Sequence, residues 1–99
     1  MTHMPIAIDY ISGFCPVQGE GRIHGKPFYF RARGNQWSIA IGGPRLMSDP
    51  EWFYKEPYGN EPYEAGWMTG VEAHSLIVKA EKLYRQQVIE VIEVIEPAP

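Results

Sequence analysis

From Phe14 to Gly42 apolar and polar side chains alternate in three successive runs. In the middle run Phe28, Phe30 and Ala32 share one face, while Tyr29, Arg31 and Arg33 share the other. Trp37, Ile39 and Ile41 continue the pattern against Ser38 and Ala40, and Val17 and Ile23 oppose Gln18, Glu20, Arg22 and His24 in the run before. Period-two alternation of β-branched and aromatic residues predicts a half-buried antiparallel meander over 14–42. His24-Gly25-Lys26-Pro27 and Gly34-Asn35 supply the turns between its strands. Gly19 and Gly21 predict a bulge or a close backbone approach in the first of them.

Residues 4–12 alternate Ile6, Ile8 and Tyr10 with Ala7 and Asp9, which predicts an edge strand or an ordered arm. Pro5 suits that edge, because it cannot donate to a ladder. From 43 to 68 no period holds, and Pro50, Pro57, Gly59, Pro62 and Gly66 punctuate the segment as a loop. Then the period changes. Thr69 and Glu72 form a T-x-x-E capping box, and Ala73, Leu76, Ile77, Ala80, Leu83 and Tyr84 recur at three-and-four spacing, predicting a helix over 69–87. Its apolar stripe needs a partner, and the Phe28/Phe30/Trp37/Ile39/Ile41 face is the obvious one. The repeat VIEVIEVIE over 88–96 has period three, which suits neither element. Its β-branched content favours a final strand, with continuation of the helix as the alternative, and 97–99 is a short tail. The fold expected is α+β, a single domain with an antiparallel sheet of three to five strands packed on one long helix.

The strings CPVQGEG, then G-x-PFYFRARG, then QWSI resemble small uncharacterised proteins of proteobacterial phages, plasmids and genomic islands. The resemblance extends through Glu51-Trp52 and Gly66-Trp67-Met68 to Tyr84-Arg85, while the tail VIEVIEVIEPAP departs from it. It implies a mobile-element setting and a non-enzymatic protein that binds a host or phage protein. Inhibition of a host defence system, in the manner of an anti-CRISPR protein, is the activity that setting suggests.

Ninety-nine residues are enough for one core without metal or disulfide support. The single cysteine, Cys15, excludes an internal disulfide and fits a reducing cytoplasm. No apolar run approaches the roughly 20 residues that span a membrane, and no signal peptide precedes the first strand, so a cytoplasmic protein without a membrane partner is expected. The net charge of −3 is unevenly spread, with five basic and two acidic side chains in residues 1–45 against four and ten in 46–99. That balance argues against bulk nucleic-acid binding.

Candidate chemistry is sparse. Cys15 has no histidine placed by sequence to activate it, and reads as a small buried apolar residue. His24 and His74 lack metal-ligand spacing, and neither Gly19-Glu20-Gly21 nor Gly42-Gly43-Pro44 has the lysine or the setting of a phosphate loop. No catalytic residue, metal site or cofactor is expected. Segment 43–68 holds six of the thirteen aromatics, with five carboxylates around them. Aromatics dominate binding hot spots and carboxylates complement a basic partner. Trp52, Tyr54, Glu56, Tyr58, Glu61 and Tyr63 are therefore the preferred partner-binding residues, with the tryptophans turned mostly inward and the tyrosines at least partly outward. The alternative is a nucleic-acid face on the sheet, made by Arg22, Tyr29, Arg31 and Arg33. Only one aromatic is expected on that face, and Glu20 dilutes its charge.

Overall fold

The structure is a computed structural model that describes residues 5–95, with the side chains of the helix described as far as Gln87. Five strands, β1 (Ile6–Ser12), β2 (Val17–Ile23), β3 (Lys26–Arg33), β4 (Gln36–Ile41) and β5 (Trp52–Pro57), form one antiparallel sheet in chain order. A 3-10 turn (Glu64–Trp67) leads into the single helix α1 (Gly70–Ile95), so the fold is α+β. No helix among the described residues is long and apolar enough to cross a membrane.

The alternation seen in the sequence becomes the two faces of the sheet. Val17, Ile23, Phe28, Phe30, Ala32, Trp37, Ile39 and Ile41 are all buried toward α1. They meet Ala73, Ile77, Ala80 and Tyr84 of the helix, with Leu76 packed against the edge of the cluster. Phe30 and Trp37 stack at 5.7 Å at its centre. The helix starts where the capping box predicts. Thr69 N–H donates to Glu72 Oε1 at 2.9 Å, and Glu72 N–H donates to Thr69 Oγ1 at 3.1 Å.

The two glycines of β2 permit close approach. A Cβ on Gly21 would lie 2.1 Å from the carbonyl oxygen of Ala7 and 2.8 Å from the Phe28 ring. The bulge, however, lies in the opposite strand. Ile8 pairs with Gly21 and Tyr10 with Glu20, which leaves Asp9 as the extra residue of β1. Beyond Asp9 the alternation inverts. Ile11 joins Ile6 and Ile8 at the core, whereas Tyr10 turns to the other side, against the expectation from simple alternation.

Other expectations are corrected by packing. Segment 43–68 is not a continuous loop, because Trp52–Pro57 pairs with β4 from Gln36↔Pro57 to Ile41↔Trp52. The prolines and the three consecutive aromatics hid a strand that places Trp52, Tyr54 and Glu56 on one face and Phe53, Lys55 and Pro57 on the other. The final strand over 88–96 is replaced by helix as far as Ile95, and residues 96–99 lie outside the described residues, as does Met4. A capped helix adds a hydrogen bond for each further residue, and no proline interrupts it before Pro97. Cys15 is exposed, not buried, at the turn between β1 and β2. Trp67 is 64% exposed and lies tilted against the 72% exposed Phe14 at 5.6 Å, so this tryptophan faces outward.

Replacing Thr69 with Ala removes the acceptor of a helix-start amide and should lower stability by about 1 kcal/mol, readable in a denaturant melt. Gly21→Ala should cost at least about 1–3 kcal/mol, because the clash is with backbone. An unchanged melt for Gly21→Ala would contradict the β1–β2 approach described here.

Candidate functional site

The helix covers one face of the sheet, and no helix or strand among the described residues covers the other, although Met47 of the loop before β5 borders Tyr29, Ala40 and Phe53 and Ala40 is buried there. Strand register sets the uncovered face in rows. Tyr10, Glu20, Tyr29, Ala40 and Phe53 are successive lateral partners across all five strands. The adjacent row runs Ser12, Gln18, Arg31, Ser38 and Lys55, and Arg33, Gln36 and Pro57 follow it. Neighbouring strands lie about 4.8 Å apart, so Tyr10, Tyr29 and Phe53 recur about every 10 Å across the sheet. Tyr10 and Phe53 are 42% and 56% exposed.

Charge separates the two faces. On the helix side, basic residues are neutralised by the acidic half of the chain. Lys26 Nζ donates to both oxygens of Glu51 at 2.6 Å, Lys79 Nζ to Glu56 Oε1 at 2.7 Å, and Arg85 Nε to Glu81 Oε2 at 3.1 Å. His24 Nε2 also meets Glu81 Oε2, at 2.7 Å. On the outer face Arg22, Arg31, Arg33 and Lys55 form no ion pair among the described residues. Arg31 Nε is shielded from solvent and has no hydrogen-bond partner among the described residues. Arg31, Arg33, Gln36 and Ser38 line a depression of about 250 Å³. Beside it a second hollow, of about 210 Å³, is bounded by Tyr29, Ala40, Met47 and Phe53.

The expected partner-binding set is divided by the structure. Trp52, Tyr54 and Glu56 lie on the helix side of β5. Trp52 stacks on Tyr54 at 5.6 Å, meets Tyr84 at 5.5 Å, and donates from Nε1 to Gln87 Oε1 at 3.1 Å. Tyr54 lies against Trp37 at 5.6 Å and donates its hydroxyl to Glu56. These side chains complete the core. Tyr58 is half-buried and donates to Glu72, whose carboxylate pushes its pKa up to about 12. Glu61 and Tyr63 are exposed in the segment after β5, a few residues before Trp67. The alternative set, Arg22, Tyr29, Arg31 and Arg33, stays together on the outer face. Sequence reasoning missed Tyr10, Phe53 and Lys55 as members of it. Phe53 and Lys55 join it through the pairing of β5 with β4, which three consecutive aromatics at 52–54 do not signal, and Tyr10 through the bulge that re-aims it.

The polar cluster on the helix side is structural. Tyr84 donates to Glu51 Oε2 at 2.6 Å beside Lys26. The hydrogen bond from Lys26 holds Glu51 below its ordinary pKa, and Glu51 holds Lys26 above its own. Burial, reinforced by Glu51, raises Tyr84. A lysine and a tyrosine fixed in their protonated forms are the reverse of what a general base requires. No protein family, curated protein or solved structure matches the chain.

Two measurements follow from this placement. Tyr54→Ala should destabilise the fold by about 2 kcal/mol, as loss of a partly buried aromatic does, and not merely remove a contact surface. Glu51, held below its ordinary value of 4.5, contributes stability that is complete above that value and lost as pH falls through the depressed folded value. Melts should therefore weaken below about pH 4.5, and Glu51→Gln should flatten part of that decline.

Proposed function

We propose that the outer face of the sheet binds single-stranded nucleic acid. One observation carries the reading: an aromatic row on the outer face, with Tyr10 and Phe53 exposed and Tyr29 half-buried between them, lies beside Arg31 and Lys55, which form no ion pair among the described residues. Bases stack on exposed aromatic rings with about 1–3 kcal/mol each, and an adjoining basic track takes the phosphates. An uncovered antiparallel sheet offers both at once, the arrangement by which sheet-surface RNA binders hold two or three splayed bases. Arg31 and Arg33 line one depression, where a phosphate could meet both guanidinium groups. The overall charge of −3 does not by itself oppose this, because Glu51, Glu56 and Glu81 are paired with cations on the helix side and Glu20 is the one carboxylate at a strand-paired position of the outer face.

A second reading keeps a protein partner. Phe14 and Trp67 form an exposed aromatic pair, with Tyr63 73% exposed nearby in sequence, and exposed aromatics of this kind anchor interfaces. In the mobile-element setting that the resemblance implies, the partner would be a host defence protein, bound in the manner of an anti-CRISPR inhibitor. That contact would use Phe14 and Trp67 in place of Trp52 and Tyr54, which the core consumes.

Fluorescence anisotropy with labelled single-stranded oligonucleotides separates the readings. Affinity should fall with salt on a logarithmic slope of about −2, for three neutralised phosphates on a single strand. Combining Arg31→Ala, Arg33→Ala and Lys55→Ala should flatten that slope. Tyr29→Ala and Phe53→Ala should each lose about 1–3 kcal/mol of binding with the slope retained. Salt-independent affinity, or arginine variants that bind as wild type, would refute the sheet-face reading. Capture of a host protein that Trp67→Ala abolishes would support the second.

A further inference from the structure

Glu20 is the one carboxylate at a strand-paired position of the outer face, and it sits inside the aromatic row, between Tyr10 and Tyr29. On a face that only attracted phosphate, an anion there would work against binding. Its surroundings show a defined geometry. Tyr10 donates its hydroxyl to Glu20 Oε2 at 2.5 Å, while Oε1 accepts no hydrogen bond among the described residues. The same contact raises the Tyr10 pKa, which keeps the phenol a donor and the carboxylate oriented. Tyr29, on the other side, donates to Gln18 Oε1 at 2.6 Å. That bond leans its ring toward β2, the strand that carries Glu20.

Resting on the nucleic-acid reading above, we propose that Glu20 reads the base stacked on Tyr29, selecting bases with an exocyclic amine over thymine and uracil. A base lying on that ring presents its hydrogen-bonding edge beside Glu20. An ionised carboxylate can only accept, so the edge must donate. Cytosine offers its N4 amine, adenine its N6 amine and guanine its N2 amine. Thymine and uracil put carbonyl oxygens on both sides of a single ring N–H, and those oxygens repel the carboxylate. The phosphates meanwhile lie in the next row, over Arg31 and Lys55. Glu20 therefore gives the strand a register: bases toward β2, backbone toward the arginines.

The test compares oligodeoxycytidylate with oligodeoxythymidylate of equal length, about twelve nucleotides, at one salt concentration. The two carry the same charge and similar rings, so a difference reports the base edge. Wild type should bind the cytidylate about tenfold more tightly, the discrimination expected of one good edge contact. Glu20→Gln, whose amide both donates and accepts, should bring the ratio to about one, chiefly by tightening the thymidylate. Equal wild-type affinities, or a tenfold ratio that Glu20→Gln leaves intact, would overturn the assignment while leaving the sheet-face function standing. Failure of both oligonucleotides to bind in a salt-sensitive way would overturn the function and this inference together.

Discussion

One-sided burial of the meander under α1 is the constraint from which the rest of the molecule follows. Phe28, Phe30, Trp37, Ile39 and Ile41 are each at most 1% exposed, and all point toward the helix. Because side chains on a strand alternate, each of these anchors sends its neighbours to the opposite face. Tyr29, Arg31 and Ser38 stand where they do because Phe28, Phe30, Trp37 and Ile39 are buried. A slip of one residue would invert both faces at once, so packing against the helix fixes the outer rows as firmly as the core.

The same division governs charge. Carboxylates from β5, the segment before it and the helix meet the bases on the helix side. Lys26–Glu51 ties the start of β3 to the entrance of β5, and Lys79–Glu56 ties the helix to β5. Exposed pairs of this kind contribute little stability individually, typically below about 1 kcal/mol. Their larger effect is electrostatic partition. With Glu51, Glu56 and Glu81 paired on the helix side, the cations of the outer face act on a ligand over about a Debye length, roughly 8–10 Å, with Glu20 in the adjoining row as the one strand-paired carboxylate on that face.

Local irregularities then tune the outer face. Asp9 adds one residue to β1, and the alternation shifts so that Ile11 reaches the core and Tyr10 the aromatic row. Gly21 opposite lets the β1 backbone lie close over β2 and the Phe28 ring. The bulge thus serves the core and the face together: without it, Tyr10 would point inward and Glu20 would lose the hydroxyl that orients it.

The meander, its turns, the helix and the capping box were legible in the sequence because each rests on local periodicity or on contacts a few residues apart. Phe28/Phe30 against Tyr29/Arg31, and Thr69 with Glu72, need no knowledge of the distant chain. Arg22, Tyr29, Arg31 and Arg33 could be placed on one face for the same reason. What pairs at long range could not be seen. β5 is short, follows Pro50 and ends at Pro57, shows no apolar–polar alternation, and becomes a strand because β4 offers an edge to its backbone. Its tryptophan and tyrosine read in the sequence as a binding surface, and in the fold they lie half-buried against Tyr84 and Trp37. The tail read as a strand because its β-branched residues outweighed a helix already begun. Side-chain chemistry along the chain determined which residues alternate; only the tertiary structure decided which of the two resulting faces each strand contributes, because that depends on register and on where α1 lies.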